Sequence, residues 1–224
     1  MEKEQIADLL LSAAHSRHAC KEFDPHKKIS QQDFELILEI CRLSPSSFGL
    51  EPWKFLIVQN SELREQLVKC SWGGQKQLPS ASHVVLALAK KERLMRWNSP
   101  YVAHIMNDIQ KHPVELQKLR LANLERFQLS DFALQQTPRA MLDWAGKQTY
   151  IPLANMMSAA AALGIDSCPI EGFVLVQIDE LLSQRFGIDT AEYSAAYMVC
   201  FGYRLAEPRP KTRQPAEDVF EWFD

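Results

Sequence analysis

The chain is 224 residues long and 46% hydrophobic, with 25 Lys and Arg against 28 Asp and Glu, a formal net charge of −3. That near balance, without a long run of either sign, excludes an electrostatic nucleic-acid surface, a grip on an anionic membrane and an acidic tail. The length and apolar share support a large core, expected as one domain over 1–224 with a helical excursion at about 92–137 and a C-terminal arm at about 206–224.

No uncharged apolar stretch reaches the roughly 20 residues that span a bilayer. Met1-Glu2-Lys3-Glu4-Gln5 and the short Leu9-Leu10-Leu11 do not form a signal peptide, so a soluble, cytoplasmic protein with no membrane partner is expected. Cys20, Cys41, Cys70, Cys168 and Cys200 fall at wide spacings without Cys-x-x-Cys, and the histidines form no His-x-x-x-His pair. The thiols are therefore read as reduced and mostly in the core, and no metal site is expected.

In chain order, Ser30 opens a helix as N-cap with Asp33 at the third position, and Phe34, Ile37, Leu38 and Cys41 follow at helical spacing. The helix stops near Ser44-Pro45. Trp53 to Val58 reads as a short strand, and Ser61 as the cap of a short helix carrying Leu63, Leu67 and Val68. His83 to Ala89 is apolar on both faces, which predicts a central strand.

From Lys90 to about Thr137 the chain is charged and helix-prone. Pro113 and Pro138 suit first-turn positions, the latter with Thr137 as N-cap. Met141 to Leu163 is the most hydrophobic helix, and Gly164 lies just past its end. A strand (Asp166 to Ile170), a helix (Ile178 to Phe186) and a stronger strand (Ser194 to Leu205) follow. Pro208, Pro210 and Pro215 then break regular structure, while Phe220, Trp222 and Phe223 equip the arm to pack on something, a partner subunit included. Strands alternating with helices but interrupted by a helix-only segment predict an α+β sandwich.

Arg17-His18-Ala19-Cys20-Lys21 and Lys211-Thr212-Arg213 sit near opposite chain ends. Cations there can converge on one anion, and arginine grips phosphate through a planar fork of donors, which points to a phosphate-bearing small molecule. Ser44 to Trp53 joins a helix to a strand through Pro45, Ser46, Ser47 and Gly49, a loop of hydroxyl and N–H donors. Cys168-Pro169-Ile170-Glu171-Gly172-Phe173 ends a strand where main-chain N–H groups reach a flat ligand edge without side-chain bulk. His83 reads as a hydrogen-bonded core histidine, and His15, His26, His104 and His112 as surface residues.

Taken in order, Arg-His-x-x-Lys-x-Phe-Asp (Arg17 to Asp24), Ser-Pro-Ser-Ser-x-Gly-Leu-x-Pro-Trp, Ala-Ser-His-Val-Val (Ala81 to Val85), Pro-Ile-Glu-Gly-Phe and the C-terminal Lys-x-Arg resemble the nitroreductase family of flavin enzymes. Trp144 to Tyr150 is similar to the start of that family's long central helix. Within the family, the oxygen-insensitive NAD(P)H nitroreductase and dihydropteridine reductase branch is the nearest likeness.

The resemblance implies a nitroreductase-like α+β fold, its mainly antiparallel sheet flanked by helices, in an intertwined homodimer with FMN sites at the subunit interface. It implies ping-pong hydride transfer from NADH or NADPH through flavin N5 to nitroaromatics, quinones or similar flat acceptors. Alternatives on the same fold are a dihydropteridine or enoate reductase, an oxygen-using enzyme, and a flavin-binding sensor without turnover. Carried over by position, Arg17 and Arg213 would bind the FMN phosphate with Lys211 close by. His18 and Ala19 would contact the cofactor, and Lys21 would approach the pyrimidine edge.

Pro45, Ser46, Ser47 and Gly49 would come from the other subunit. Pro169 and Ile170 would pack on the flavin, with the main-chain N–H of Glu171 or Gly172 toward N5. No side chain is expected to act as a catalytic acid or base. The chain departs from the family pattern at Ala19, where relatives carry a hydroxyl, and at Gly73-Gly74-Gln75-Lys76-Gln77, where some relatives place Asn and Lys. There Gln75 and Gln77 would bond the pyrimidine edge without charge. The aromatics Trp97, Tyr101, Phe127 and Phe132 belong to the segment that lines the family's substrate channel.

Overall fold

The computed structural model describes Glu2 to Phe223. Its strands β1 (Trp53–Ile57), β2 (His83–Lys90), β3 (Asp166–Ile170) and β4 (Tyr193–Gly202) form one sheet in the order β1-β2-β4-β3, every pair antiparallel. β2 is interior, as its apolar run requires, with Val85 opposite Val199 and a bulge between Ala87 and Leu88. The helices are α1 (Lys3–Ser16), α2 (Gln31–Arg42), α3 (Ser61–Lys69), α4 (Gln77–Ser80), α5 (Glu92–Met95), α6 (Pro100–His104), α7 (Val114–Arg126), α8 (Pro138–Ala162) and α9 (Leu175–Phe186).

The period-two alternation of the strands sorts their side chains between two cores. Val85, Ala87, Tyr197, Val199 and Phe201 pack with residues of α2 and α8, whereas Val84, Leu86, Leu88, Met198 and Cys200 pack with α3 and α9. The observed class is α+β, with helices on both faces of an antiparallel sheet. A third core belongs to the segment between β2 and α8, where Met95, Val102, Met106 and Leu124 close on Met141 and Trp144. Two π-turns punctuate that segment: Gln110 N–H donates to Ile105 O at 2.8 Å and Phe132 N–H to Phe127 O at 2.9 Å. Among the described residues, no helix is long and apolar enough to cross a membrane.

Local chemistry explains most boundaries. Ser30 caps α2 by accepting from Asp33 N–H at 3.1 Å, and Thr137 caps α8 by accepting from Ala140 N–H at 3.1 Å, with Pro138 in the first turn. α8 ends at Ala162, two residues before Gly164, which takes the left-handed φ of 72°.

Four expectations are corrected. α3 is capped by Asn60, whose Oδ1 accepts from Leu63 N–H at 3.0 Å, so Ser61 is its first helical residue instead of its cap. Pro113 stands at the N-cap of α7 rather than in its first turn. α9 begins at Leu175, three residues earlier than its buried positions show, because Val176 and Gln177 of its first turn are exposed and the buried stripe starts only at Ile178. β4 stops at Gly202, where a side chain would collide with the Phe23 ring at 2.7 Å.

The cysteines are free thiols, and Cys20, Cys41, Cys168 and Cys200 are buried. His83 accepts or donates at 3.0 Å with Ser82 Oγ and stacks on Phe34, ring centroids 3.8 Å apart. His112 is half-buried rather than on the surface.

Candidate active site

α1 ends at Ser16 because Arg17 turns extended, and the chain then runs beside β3, with Ala19 bridging to Ser167 and Cys20 N–H donating to Ser167 O at 3.0 Å. This carries Arg17, His18 and Ala19 to the edge of the sheet. The C-terminal arm returns to the same place. Lys211 Nζ donates to Ala14 O at 2.7 Å and also to Arg17 O, tying the arm to the end of α1. The Lys211 ammonium is held below its ordinary pKa, by burial first and then by the positive charges of Arg17 and Arg213.

The two chain ends therefore do bring their cations together. Among the described residues, Arg17, Lys21, Lys211 and Arg213 form no ion pair with a carboxylate, unlike Arg42, Arg96 and Arg185. A cluster of like charges without a counter-charge suits a phosphate, and this donor set fits the phosphate of FMN. His18 differs: its Nδ1 lies 3.1 Å from Ser16 O and 3.8 Å from Asp166 Oδ1. Asp166 also accepts from Arg204 N–H at 2.8 Å.

Beside this cluster, the end of β3 offers mixed surfaces. Pro169 is half-exposed, but the Ile170 side chain is buried against Leu78 and Gly74, leaving only its main chain for a ligand. Lys21 lies close enough to Cys168 for its charge to oppose the burial that raises that thiol's pKa. Gly172 is required for packing: its carbonyl accepts from Gly73 N–H at 2.8 Å, and a Cβ there would meet Gly73 Cα at 2.8 Å. The departure at Gly73 thus has a local cause, since two glycine backbones touch.

Gln75 spends its amide on Val68 O (2.8 Å) and Ser71 O, and Gln77 is buried with its amide 3.8 Å from Cys168 Sγ. Both amides thus have partners within the chain. Lys76 pairs with Glu22 at 2.9 Å.

The Glu171 carboxylate accepts from Tyr150 Oη of α8. Burial, then the hydrogen bond to Glu171, raises the Tyr150 pKa, so this phenol stays protonated as a donor. A cleft of about 650 Å³ opens beside the pair, lined by Lys147, Phe173 and Ala196 among others.

The Pro45–Gly49 loop lies elsewhere. Ser47 N–H donates to Gln148 Oε1 on α8 at 2.9 Å, and Ser46 Oγ closes the loop on itself by accepting from Glu51 N–H at 2.9 Å. No hydrogen bond joins Pro45, Ser46, Ser47 or Gly49 to the Arg17 cluster or to Pro169 within the described residues. Phe48 (φ 55°) and Glu51 (φ 47°) are left-handed, a conformation costing a non-glycine residue about 1–2 kcal/mol.

Three side chains from the excursion hold this loop: Gln110 Nε2 donates to Phe48 O (2.9 Å) and Gly49 O (3.0 Å), Arg120 to Phe48 O (2.9 Å), and Tyr101 Oη to Leu50 O and Glu51 O. The sequence singled out none of Gln110, Arg120, Gln148 or Lys90. The loop groups that Gln110, Arg120 and Gln148 hold are more than 60 residues away in the chain, and nothing local marks them. Lys90, only 5% exposed, lies between the rings of Tyr101 (4.5 Å) and Tyr193 (4.7 Å), and burial lowers its pKa to about 8.

Comparison with known proteins follows the same lines. A sequence model described as the nitroreductase family matches residues 14–203. A Bacillus subtilis (strain 168) protein named "Putative NAD(P)H nitroreductase YfkO" is 49% identical over 97% of this chain and 100% of its own. A solved structure from Exiguobacterium sibiricum 255-15, "a putative nitroreductase in complex with FMN", superposes with a TM-score of 0.76 at 22% identity, over 96% of this chain and 97% of that one. The NADPH:FMN oxidoreductase of Vibrio harveyi complexed with NAD+ gives 0.64 at 18%, over 96% and 77%. The two structures share the fold, and the family match spans Arg17, Lys21, the Pro45–Gly49 loop and the end of β3: the chain belongs to the nitroreductase family.

Proposed function

We propose that the chain is an FMN-dependent NAD(P)H oxidoreductase acting as a homodimer on nitroaromatics, quinones or similar flat small molecules. When bound, FMN would supply the redox chemistry: hydride transfer from NADH or NADPH to the acceptor in two alternating half-reactions. The observation that carries the reading is the convergence of Arg17, Lys211 and Arg213 without a carboxylate partner, a site built for a phosphate.

In this reading Arg17, Lys211 and Arg213 hold the phosphate, with His18 and Ala19 beside it. Lys21 brings positive charge to the pyrimidine edge, where a reduced flavin gathers negative charge. Pro169 and the Ile170 main chain carry the ring, and Tyr150 fixes the Glu171 carboxylate so that the Glu171–Gly172 peptide keeps its orientation. Gln75 and Gln77 reach the pyrimidine edge only by releasing their partners at Val68, Ser71 and Cys168.

Pro45, Ser46, Ser47 and Gly49 serve the neighbouring subunit's site. The dimer is supported by apolar surface that the chain leaves uncovered: Leu10 and Leu11 on α1, and Phe220, Trp222 (87% exposed) and Phe223 (86%) on the arm. The test is a visible spectrum of purified protein, then NADPH or NADH added without oxygen. Flavin bands that bleach and return with a quinone or nitroaromatic support the reading. Flavin that neither donor bleaches favours a sensor, and protein that takes up no FMN overturns it.

A further inference from the structure

A dense polar network from the excursion grips the main chain of Phe48 and Gly49, the end of the loop expected at the neighbouring subunit's site. Two donors, Gln110 Nε2 and an Arg120 guanidinium nitrogen, converge on one carbonyl, Phe48 O, each at 2.9 Å. A bulky residue in left-handed conformation persists only where its surroundings over-determine it. Gly49 is shaped to the same grip: it has φ 65°, and a Cβ there would stand 2.8 Å from Gln110 Nε2.

The grip has a cost that packing alone does not explain. Gln110 Oε1 and Arg120 Nε are buried without a hydrogen-bond partner. Apolar residues of similar size would fill the space without leaving two polar atoms unsatisfied. What the polar pair adds is a fixed place for the Phe48 carbonyl, and with it a fixed direction for the Phe48 ring. That ring meets Phe127 at 5.4 Å, and Phe127 links buried Trp144 (5.6 Å) to exposed Phe132 (4.4 Å). The remaining loop groups are pinned from α8 by Gln148 and from α6 by Tyr101.

We propose that Gln110 and Arg120 are positioning residues: from the excursion they lock the Phe48–Gly49 main chain in its left-handed turn, and so set how the Ser46–Ser47 donors and the Phe48 ring are presented to the acceptor. The proposal rests on the reading above that this loop serves the neighbouring subunit's site. It predicts that acceptor choice is governed by residues that touch neither cofactor nor acceptor. The excursion and the loop then act as one unit.

The test compares FMN-loaded wild type with Gln110→Ala, Arg120→Met and the conservative Arg120→Lys. Amide hydrogen exchange over 46–51 reads the lock, and kcat and KM for a bulky nitroaromatic and for a small quinone read its consequence. Expected are exchange at the loop faster by about tenfold in Arg120→Met, matching one lost hydrogen bond to a charged donor, and a nitroaromatic KM raised several-fold more than the quinone KM, with Arg120→Lys restoring part of both. Unchanged loop exchange, or a loss equal for both acceptors and proportional to lost flavin, overturns the proposal. A wild type whose flavin neither NADH nor NADPH reduces removes the enzymatic reading instead, while the exchange data still decide whether the lock exists.

Discussion

The excursion and the C-terminal arm both leave the sheet, yet they are stabilised in opposite ways. The excursion packs Leu124 and Met106 against Trp144 of α8 and buries Gln128 completely as a polar knot. Gln128 Oε1 accepts from Trp97 N–H at 2.8 Å and its Nε2 donates to Met95 O at 2.7 Å. The arm has no buried residue in its described part, and its aromatics face outward. Among the described residues, the arm is tied to the body by Lys211 on the end of α1 and by Glu207 pairing with Arg204. One segment is complete within the chain; the other is a set of cations and rings that needs a ligand and a second copy to be satisfied.

The sharpest way to test that contrast is to remove the charge that the arm and the end of α1 share. Arg17→Ala combined with Arg213→Ala should weaken FMN binding by about a hundredfold or more, each charged hydrogen bond being worth roughly tenfold or better. Fluorescence titration reads this, and the melting temperature of FMN-free protein should hold or rise as like-charge repulsion is relieved.

In the excursion, Gln128→Ala should cost about 2 kcal/mol by orphaning the main-chain groups of Met95 and Trp97. Urea unfolding would show it with FMN affinity little changed, the reverse of the arm variant. Replacing Phe220, Trp222 and Phe223 by Ser should weaken dimerisation by about tenfold or more, by the usual worth of aromatic anchors. Sedimentation at falling concentration measures it, and unchanged dimers would show that the arm rings cover nothing.

Two pH effects separate the two ends of β2. His83 sits at about pKa 4 in the fold against 6.5 ordinarily, through burial and then the charges of Arg64 and Lys28. The unfolded chain takes up that proton first, so stability present above pH 6.5 should fall as pH drops toward 4, and His83→Gln should flatten the loss. Lys90, at about 8 against 10.5, has the opposite window: its buried charge is a penalty below pH 8 that is relieved between about 8 and 10.5. Stability should rise there, and Lys90→Met should abolish the rise. The smallest effect is local: Asn60→Ala should cost about 1 kcal/mol of α3 capping, where Ser61→Ala should cost little.

These contrasts also show what was legible beforehand. α2, α8, β2 and β3 were readable because each carries its own signal, such as a side-chain cap, a 3.6-residue period, a two-faced apolar run or a closing glycine. The meeting of Arg17 with Lys211 and Arg213 was readable as chemistry, since cations of one sign at both ends of a balanced chain ask for an anion. The Ile170 side chain and the Gln75 amide illustrate the limit. A motif position names a residue but not the direction its side chain takes, and neighbours at Leu78 and Val68 decided both.

Sequence alone determined the α+β class and the family, because periodicity, capping and residue type act over a few positions and survive in one dimension. Only the tertiary structure decided that Gly73 and Gly172 touch, that Lys90 lies between two tyrosines, and that Gln110 and Arg120 reach back more than 60 residues to hold Phe48. Such contacts depend on the relative placement of distant elements, which hydrophobic burial sets globally and no local pattern encodes.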